Sequence, residues 1–129
     1  MIDITDVCDE RWFRRETWEY EGSAGDRVVA DAWLAHEPGP VVIAGHGAES
    51  DRRAQYLTGA AKAWARKGIS VVAADAPGHG SRAAPSRPPP SMRDIHRIPF
   101  VRQAAGDVRS LVGAVTDRFA APVPLGYLG

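Results

Sequence analysis

Two short stretches hold the residue types that could do chemistry. Gly45-His46-Gly47-Ala48 directly follows the wholly apolar run Val41–Ala44 and precedes a helical pattern. Glycines there let the backbone turn sharply and approach a ligand closely. Amides at a strand-to-helix turn point outward and favour developing negative charge, which is the chemistry of an oxyanion donor. The plain alternative is a tight turn with a buried histidine. The second stretch, Asp75-Ala76-Pro77-Gly78-His79-Gly80-Ser81, follows the apolar run Ile69–Ala74. Pro77 fixes one φ angle while Gly78 and Gly80 free the others. In open α/β sheets the carboxyl ends of strands are where ligands bind. Taken alone, the second stretch is only a loop.

Other chemistries find less support. None of Ser23, Ser50, Ser70, Ser81, Ser86, Ser91 and Ser110 stands in a Gly-x-Ser-x-Gly context. Cys8 is the only cysteine, so there is no internal disulfide and no multi-cysteine zinc site, and its acidic surroundings do not suit a thiolate. A metal site can be drawn from His46, His79 and Asp75, but no two of them share a ligand spacing such as H-x-x-x-H. His36 and His96 lie in loop-like sequence. Neither a metal nor an organic cofactor is expected. The best rival is a nucleotide-binding, Rossmann-like domain, since Gly45-x-Gly47-x-x-Ser50 approaches the dinucleotide fingerprint and Asp75 ends the next strand. Against it stand the serine in place of the third glycine, a longer gap to the acid than the usual ~20 residues, and an antiparallel hairpin before the motif.

The elements that must position these stretches read clearly. Arg11–Tyr20 is rich in Trp, Phe, Thr and Tyr and reads as a strand, Glu21–Asp26 is turn chemistry, and Val28–Ala35 returns as its hairpin partner. Val41–Ala44 and Ile69–Ala74 are continuously apolar, the mark of strands buried on both faces. Between them the stripe Leu57, Ala60, Ala61, Trp64 predicts a helix capped by Ser50 or Asp51 and closed at Lys67-Gly68. Strand, helix, strand at this distance is a right-handed crossover with a parallel pair. Ala83–Pro90 is proline-rich and denies regular structure. After it Val101, Ala104, Ala105, Val108, Leu111, Val112, Val115 and Phe119 share one face of a long helix, about 28 Å by its rise per residue. Pro122 ends that helix, and Val123–Leu128 begins one more strand.

Composition bounds the rest. The chain has 129 residues, 44% hydrophobic and 25% charged, which is one ordinary globular domain. Sixteen basic residues balance sixteen acidic ones, so neither a nucleic acid nor a membrane surface is the expected partner. Fourteen of the basic residues are Arg and two are Lys (Lys62, Lys67). No apolar run approaches the ~20 residues of a membrane span. Asp3, Asp6, Asp9 and Glu10 replace the apolar segment of a secretory signal. Residues 1–10 are expected to form a poorly ordered leader, 11–129 the folded part, and the location to be cytoplasmic.

The order hairpin, strand, His-Gly, helix, strand, Asp-x-Pro-Gly-His-Gly, long helix, strand resembles the N-terminal half of the α/β-hydrolase superfamily. Its esterase, dienelactone-hydrolase and serine-peptidase-like branches are the nearest in likeness, over Trp12 to Gly129. The resemblance implies a mostly parallel sheet begun by an antiparallel hairpin, with strand order 1-2-4-3-5 and helices on both faces. It implies hydrolysis of a small-molecule ester or related acyl bond by a serine nucleophile. His46 and Gly47 would shape the oxyanion loop, and the backbone N–H of Ala48 would be one oxyanion donor. Asp75 and His79 would be structural. Leu125-Gly126-Tyr127-Leu128-Gly129 fits the fifth strand, with Gly129 at the first glycine of a Gly-x-Ser-x-Gly elbow. Nucleophile, acid and base are therefore absent from these residues, and the chain reads as an N-terminal fragment ending at the nucleophile elbow, expected to be inactive alone and prone to self-association. A non-catalytic remnant or interaction module is the remaining alternative.

Overall fold

The computed structural model describes every residue except Arg87 and Pro89, so the expectation for Ala83–Pro90 lies partly outside the described residues. Six strands form one sheet: β1 Asp3–Asp9, β2 Phe13–Glu21, β3 Arg27–Ala35, β4 Val41–Ala44, β5 Ser70–Ala74 and β6 Leu125–Leu128. Helix α1 spans Gln55–Ala65, α2 Met92–Ile95 and α3 Ile98–Arg118, with a 3-10 turn at Gly80–Arg82. The strand order is β1-β2-β3-β5-β4-β6. The first three strands and the β3–β5 pair are antiparallel, whereas β4 runs parallel to both β5 and β6. The expected sheet with its leading antiparallel hairpin is present and is mixed over these six strands, with two parallel pairs, and β4 lies between β5 and β6 in the order the resemblance implies.

The two faces of the sheet build two cores. Trp18, Val28, Ile43 and Val72 pack against Leu111, Ala114 and Val115 of α3, while Phe13, Trp33, Val71 and Ala73 pack against Leu57, Ala61 and Ala65 of α1. The apolar strands β4 and β5 thus bury both faces, and the two loops that leave their carboxyl ends start from the most constrained part of the molecule.

Three expectations need correction. The leader is ordered: Asp3–Asp9 pairs with β2. Its acids face arginines across the strand pair, with Arg15 Nη2 donating to Asp6 at 3.2 Å and Arg14 Nη1 to Asp9 at 3.4 Å. Cross-strand charge pairs turn a segment that looks solvated into an edge strand whose charges guard it. Helix α1 is not capped by Ser50 or Asp51; it begins at Gln55 without a side-chain cap. Asp51 instead accepts from the Arg53 N–H at 2.7 Å, in a turn that aims Arg52 and Arg53 at the sheet. The far end behaves as expected, with Gly68 in the left-handed region at φ +90°. Helix α3 starts at Ile98, earlier than the apolar stripe suggests, and buries Asp107, Leu111, Ala114 and Val115 while Val101 is exposed. Its inward face is rotated because Asp107 is drawn inside by Ser23 and Arg82.

No helix among the described residues is long and apolar enough to cross a membrane.

Strand β6 forms one edge of the sheet, and Leu125, Tyr127 and Leu128 are each well exposed there. Apolar edges with unpaired backbone groups invite another chain, and a net charge of zero opposes this little. Residues 1–129 should therefore form concentration-dependent oligomers at neutral pH in light scattering, and Leu128→Lys should raise the monomer fraction. A monodisperse native monomer would contradict this.

Candidate functional site

The chain leaves β4 at Ala44 and runs through residues 45–54 before α1 begins. Three contacts fix the start of this loop. The Gly45 N–H donates to the Leu128 carbonyl at 2.7 Å, extending the β4–β6 ladder by one rung. A side chain at position 45 would put its Cβ 2.9 Å from the hydroxyl of the exposed Tyr127, whose ring would have to shift to admit it. His46 then bridges the two expected loops. The Ala76 N–H donates to His46 Nε2 at 2.9 Å, so that nitrogen is bare, and Nδ1–H donates to the Gly47 carbonyl at 2.9 Å. The ring is a neutral brace with one fixed tautomer.

The next amides have different fates. The Gly47 N–H donates to the Tyr56 hydroxyl at 2.8 Å. The half-buried Ala48 has no acceptor for its N–H among the described residues. Glu49 follows in the left-handed region at φ 62°, a strained conformation for a residue with a side chain. Of the three residues expected to shape the oxyanion loop, His46 and Gly47 are spent on holding it, and Ala48 presents a free donor.

The loop is anchored by charge. Asp31 on β3 and Asp75 at the end of β5 are 1% and 2% exposed. Arg52 reaches both: its Nε donates to Asp31 at 3.0 Å, its Nη1 to Asp75, and its own N–H to Asp75 at 2.9 Å. Arg53 and Thr17 add donors to Asp31, each at 2.8 Å. Ser81 donates to Asp75 through both N–H and hydroxyl. Burial alone would raise both carboxyls, but hydrogen bonds from Arg53 and Thr17 to Asp31, and from Arg52 and Ser81 to Asp75, outweigh it. Both are held below the ordinary range and stay ionised. Gly80, at φ +52°, passes so close to the Asp75 carboxylate that no Cβ fits between them.

Asp75 is thus structural, as the resemblance implies, and its carboxylate is saturated. The His79 Nδ1–H donates to the Pro77 carbonyl at 2.9 Å, while its buried Nε2 has no hydrogen-bond partner among the described residues. The dinucleotide alternative fits poorly here. It needs a glycine turn that feeds straight into a helix, but α1 begins only at Gln55, and the acid that would meet a ribose is occupied. No group of three His, Cys, Asp or Glu side chains among the described residues could hold a metal ion.

Sequence reasoning did not find Arg52, Arg53, Tyr56 or Tyr20. A signal for the first two existed: Asp31 lies inside an otherwise apolar strand, and a carboxylate there needs cationic partners. Glu16 on the charged strand β2 gave no such signal, yet it is 1% exposed with Arg118, Arg14 and Trp18 donating to it. No pattern in the sequence pointed to Tyr56 or Tyr20.

Comparison with solved structures finds similar folds in several hydrolases. A cold-adapted esterase from an Arctic intertidal metagenomic library is 24% identical, with a TM-score of 0.65 over 95% of this chain and 53% of its own. An acetyl xylan esterase from Paenibacillus sp. R4 is 14% identical, with a TM-score of 0.73 over 98% of this chain and 45% of its own. An S-formylglutathione hydrolase from Agrobacterium tumefaciens is 14% identical, with a TM-score of 0.65 over 97% and 52%. The chain spans about half the length of these structures. No family model and no curated protein matches it.

The buried acids make stability depend on pH with a definite sign. The unfolded chain binds protons near the ordinary values of 3.8 for Asp and 4.5 for Glu, whereas folded Asp31, Asp75 and Glu16 titrate lower. Their contribution is complete above those ordinary values and is lost as pH falls through the depressed folded ones. Urea midpoints should therefore drop steeply below about pH 4. Asp75→Asn should cost about 3 kcal/mol at pH 7, since it removes one of the two buried carboxylates that hold Arg52, and should flatten that acid slope. A pH-independent midpoint would contradict the network.

Proposed function

We propose that this chain, which has the fold of the first half of an α/β-hydrolase, carries the oxyanion loop of an ester hydrolase that uses a serine nucleophile. One observation carries the reading. The Ala48 N–H has no acceptor among the described residues, on a loop that follows a central strand and is held by His46 and Tyr56. A preorganised amide in that place stabilises negative charge developing on an acyl oxygen. The esterases among the structural neighbours support the same substrate class, a small ester or related acyl compound.

Serine attack needs a nucleophile, a base and a second oxyanion amide, which belongs to the residue after the nucleophile. No serine of residues 1–129 stands in a Gly-x-Ser-x-Gly elbow, and Gly129 suits the first position of one. By itself the chain is therefore an incomplete catalyst.

The test begins with the gene. Reading past Gly129 should give x-Ser-x-Gly directly, then an acidic residue and a histidine over roughly the next hundred residues. A stop codon there in independent isolates would favour the non-catalytic remnant. Residues 1–129 should show no burst and no turnover of p-nitrophenyl acetate above an albumin control, and no labelling by a fluorophosphonate. Stoichiometric labelling of any serine would refute the assignment of an absent nucleophile. In the longer product both signals should appear, and Ala48→Pro, which deletes the donor, should cost ~3–4 kcal/mol of transition-state stabilisation. Full activity in a well-folded Ala48→Pro enzyme would show that this amide is not the donor.

A further inference from the structure

Under the inner face of α3, at the carboxyl ends of β4, β5 and β6, lies a cavity of about 220 Å³. Its walls are mostly apolar, with Ile43, Phe100, Val108 and Leu111 prominent. Two carboxylates, Asp75 and Asp107, also face it. Both are already satisfied, Asp75 by Arg52 and Ser81, and Asp107 by Ser23 and Arg82.

Tyr20 is different. It lines the same cavity, is 7% exposed, and its hydroxyl has no hydrogen-bond partner among the described residues. Burial, reinforced by the charge of Asp107, pushes its ionisation far up, so the group is a neutral O–H donor. A buried hydroxyl without an acceptor is costly, and a ligand oxygen that accepted from it would relieve that cost.

We propose that this cavity binds a small neutral molecule: a compact apolar body carrying one carbonyl or ether oxygen that accepts from Tyr20. Size follows from volume. An apolar cavity of roughly 150 Å³ holds benzene, so this one suits about six to nine non-hydrogen atoms. The carboxylates of Asp75 and Asp107 select against anions. Gly45 and His46 also line the cavity, so it adjoins the loop of the ester-hydrolase reading, but the binding proposed uses neither the Ala48 N–H nor a serine and can fail or hold independently of that reading.

Cyclohexanone is a suitable probe, followed by chemical-shift titration of the ¹⁵N-labelled chain. Saturable shifts should appear at the amides of Ala44, Ala74 and Val108, with a Kd on the order of 1 mM for so small a ligand. Tyr20→Phe should weaken binding about three- to tenfold. Ala104→Leu, which fills the cavity from α3, should abolish it. Cyclohexanecarboxylate should not compete. The proposal is overturned if the native chain shows no saturation up to about 20 mM, well above that Kd. It is equally overturned if a folded Tyr20→Phe binds as tightly as the native chain. Should Tyr20→Phe not fold, Ala104→Leu decides: unchanged binding there places the ketone elsewhere and overturns the proposal.

Discussion

Two carboxylates are taken out of water at the same end of the sheet, and one guanidinium lies between them. Asp31 and Asp75 stand on neighbouring strands, β3 and β5, and Arg52 donates to both. Without that cation, each acid would be a buried charge held by fewer groups, which destabilises strongly. The consequence reaches beyond stability. Arg52 belongs to the loop that leaves β4, so the demand of two sheet carboxylates for a cation fixes where that loop runs. The start of α1 yields to the same demand, since the turn at residues 51–54 displaces the first helical turn.

From this anchor the rest of the site follows by short steps. Asp75 also gathers Ser81, which sets the turn after β5 at Gly80. That turn lets the Ala76 N–H meet His46, and His46 in turn holds the Gly47 carbonyl. Tyr56, from the first turn of α1, takes the Gly47 N–H. Ala48 is left with no acceptor for its amide among the described residues. That donor sits on a loop whose start is held by His46 and Tyr56, the kind of fixed placement that electrostatic preorganisation requires. Arg82 does similar work one layer deeper, tying the Asp75 carbonyl to Asp26 and Asp107 and rotating the buried face of α3.

Much of this was legible in the sequence, and what was not has physical reasons. The apolar runs of β4 and β5 declared buried strands, and the glycines around His46 and His79 declared the loops at their ends. The resemblance supplied the strand order. The leader Asp3–Asp9 misled because three acids in seven residues look solvated; only Arg14 and Arg15 across the pair make them a strand, and such pairing is not local information. Ser50 and Asp51 are good caps by propensity, yet the tertiary pull on Arg52 and Arg53 won. The helix stripe was displaced for a like reason, because Asp107 is a polar residue with buried partners far away in sequence. Asp31 within the apolar strand β3 was a readable hint of a cationic partner, but nothing local named Arg52 as that partner, and Glu16 in the charged strand β2 gave no hint of Arg118.

The Arg52 bridge holds the loop after β4 in place rather than merely adding stability. Amide hydrogen exchange of Arg52→Met against the native chain addresses it directly. The Ala76 and Gly47 amides, which donate to His46 and Tyr56, should lose their protection, while Val42 and Val72 in the sheet stay protected relative to one another as before. If Ala76 and Gly47 exchange in the variant as slowly as in the native chain, or lose protection only in step with the whole sheet, the bridge does not position the loop.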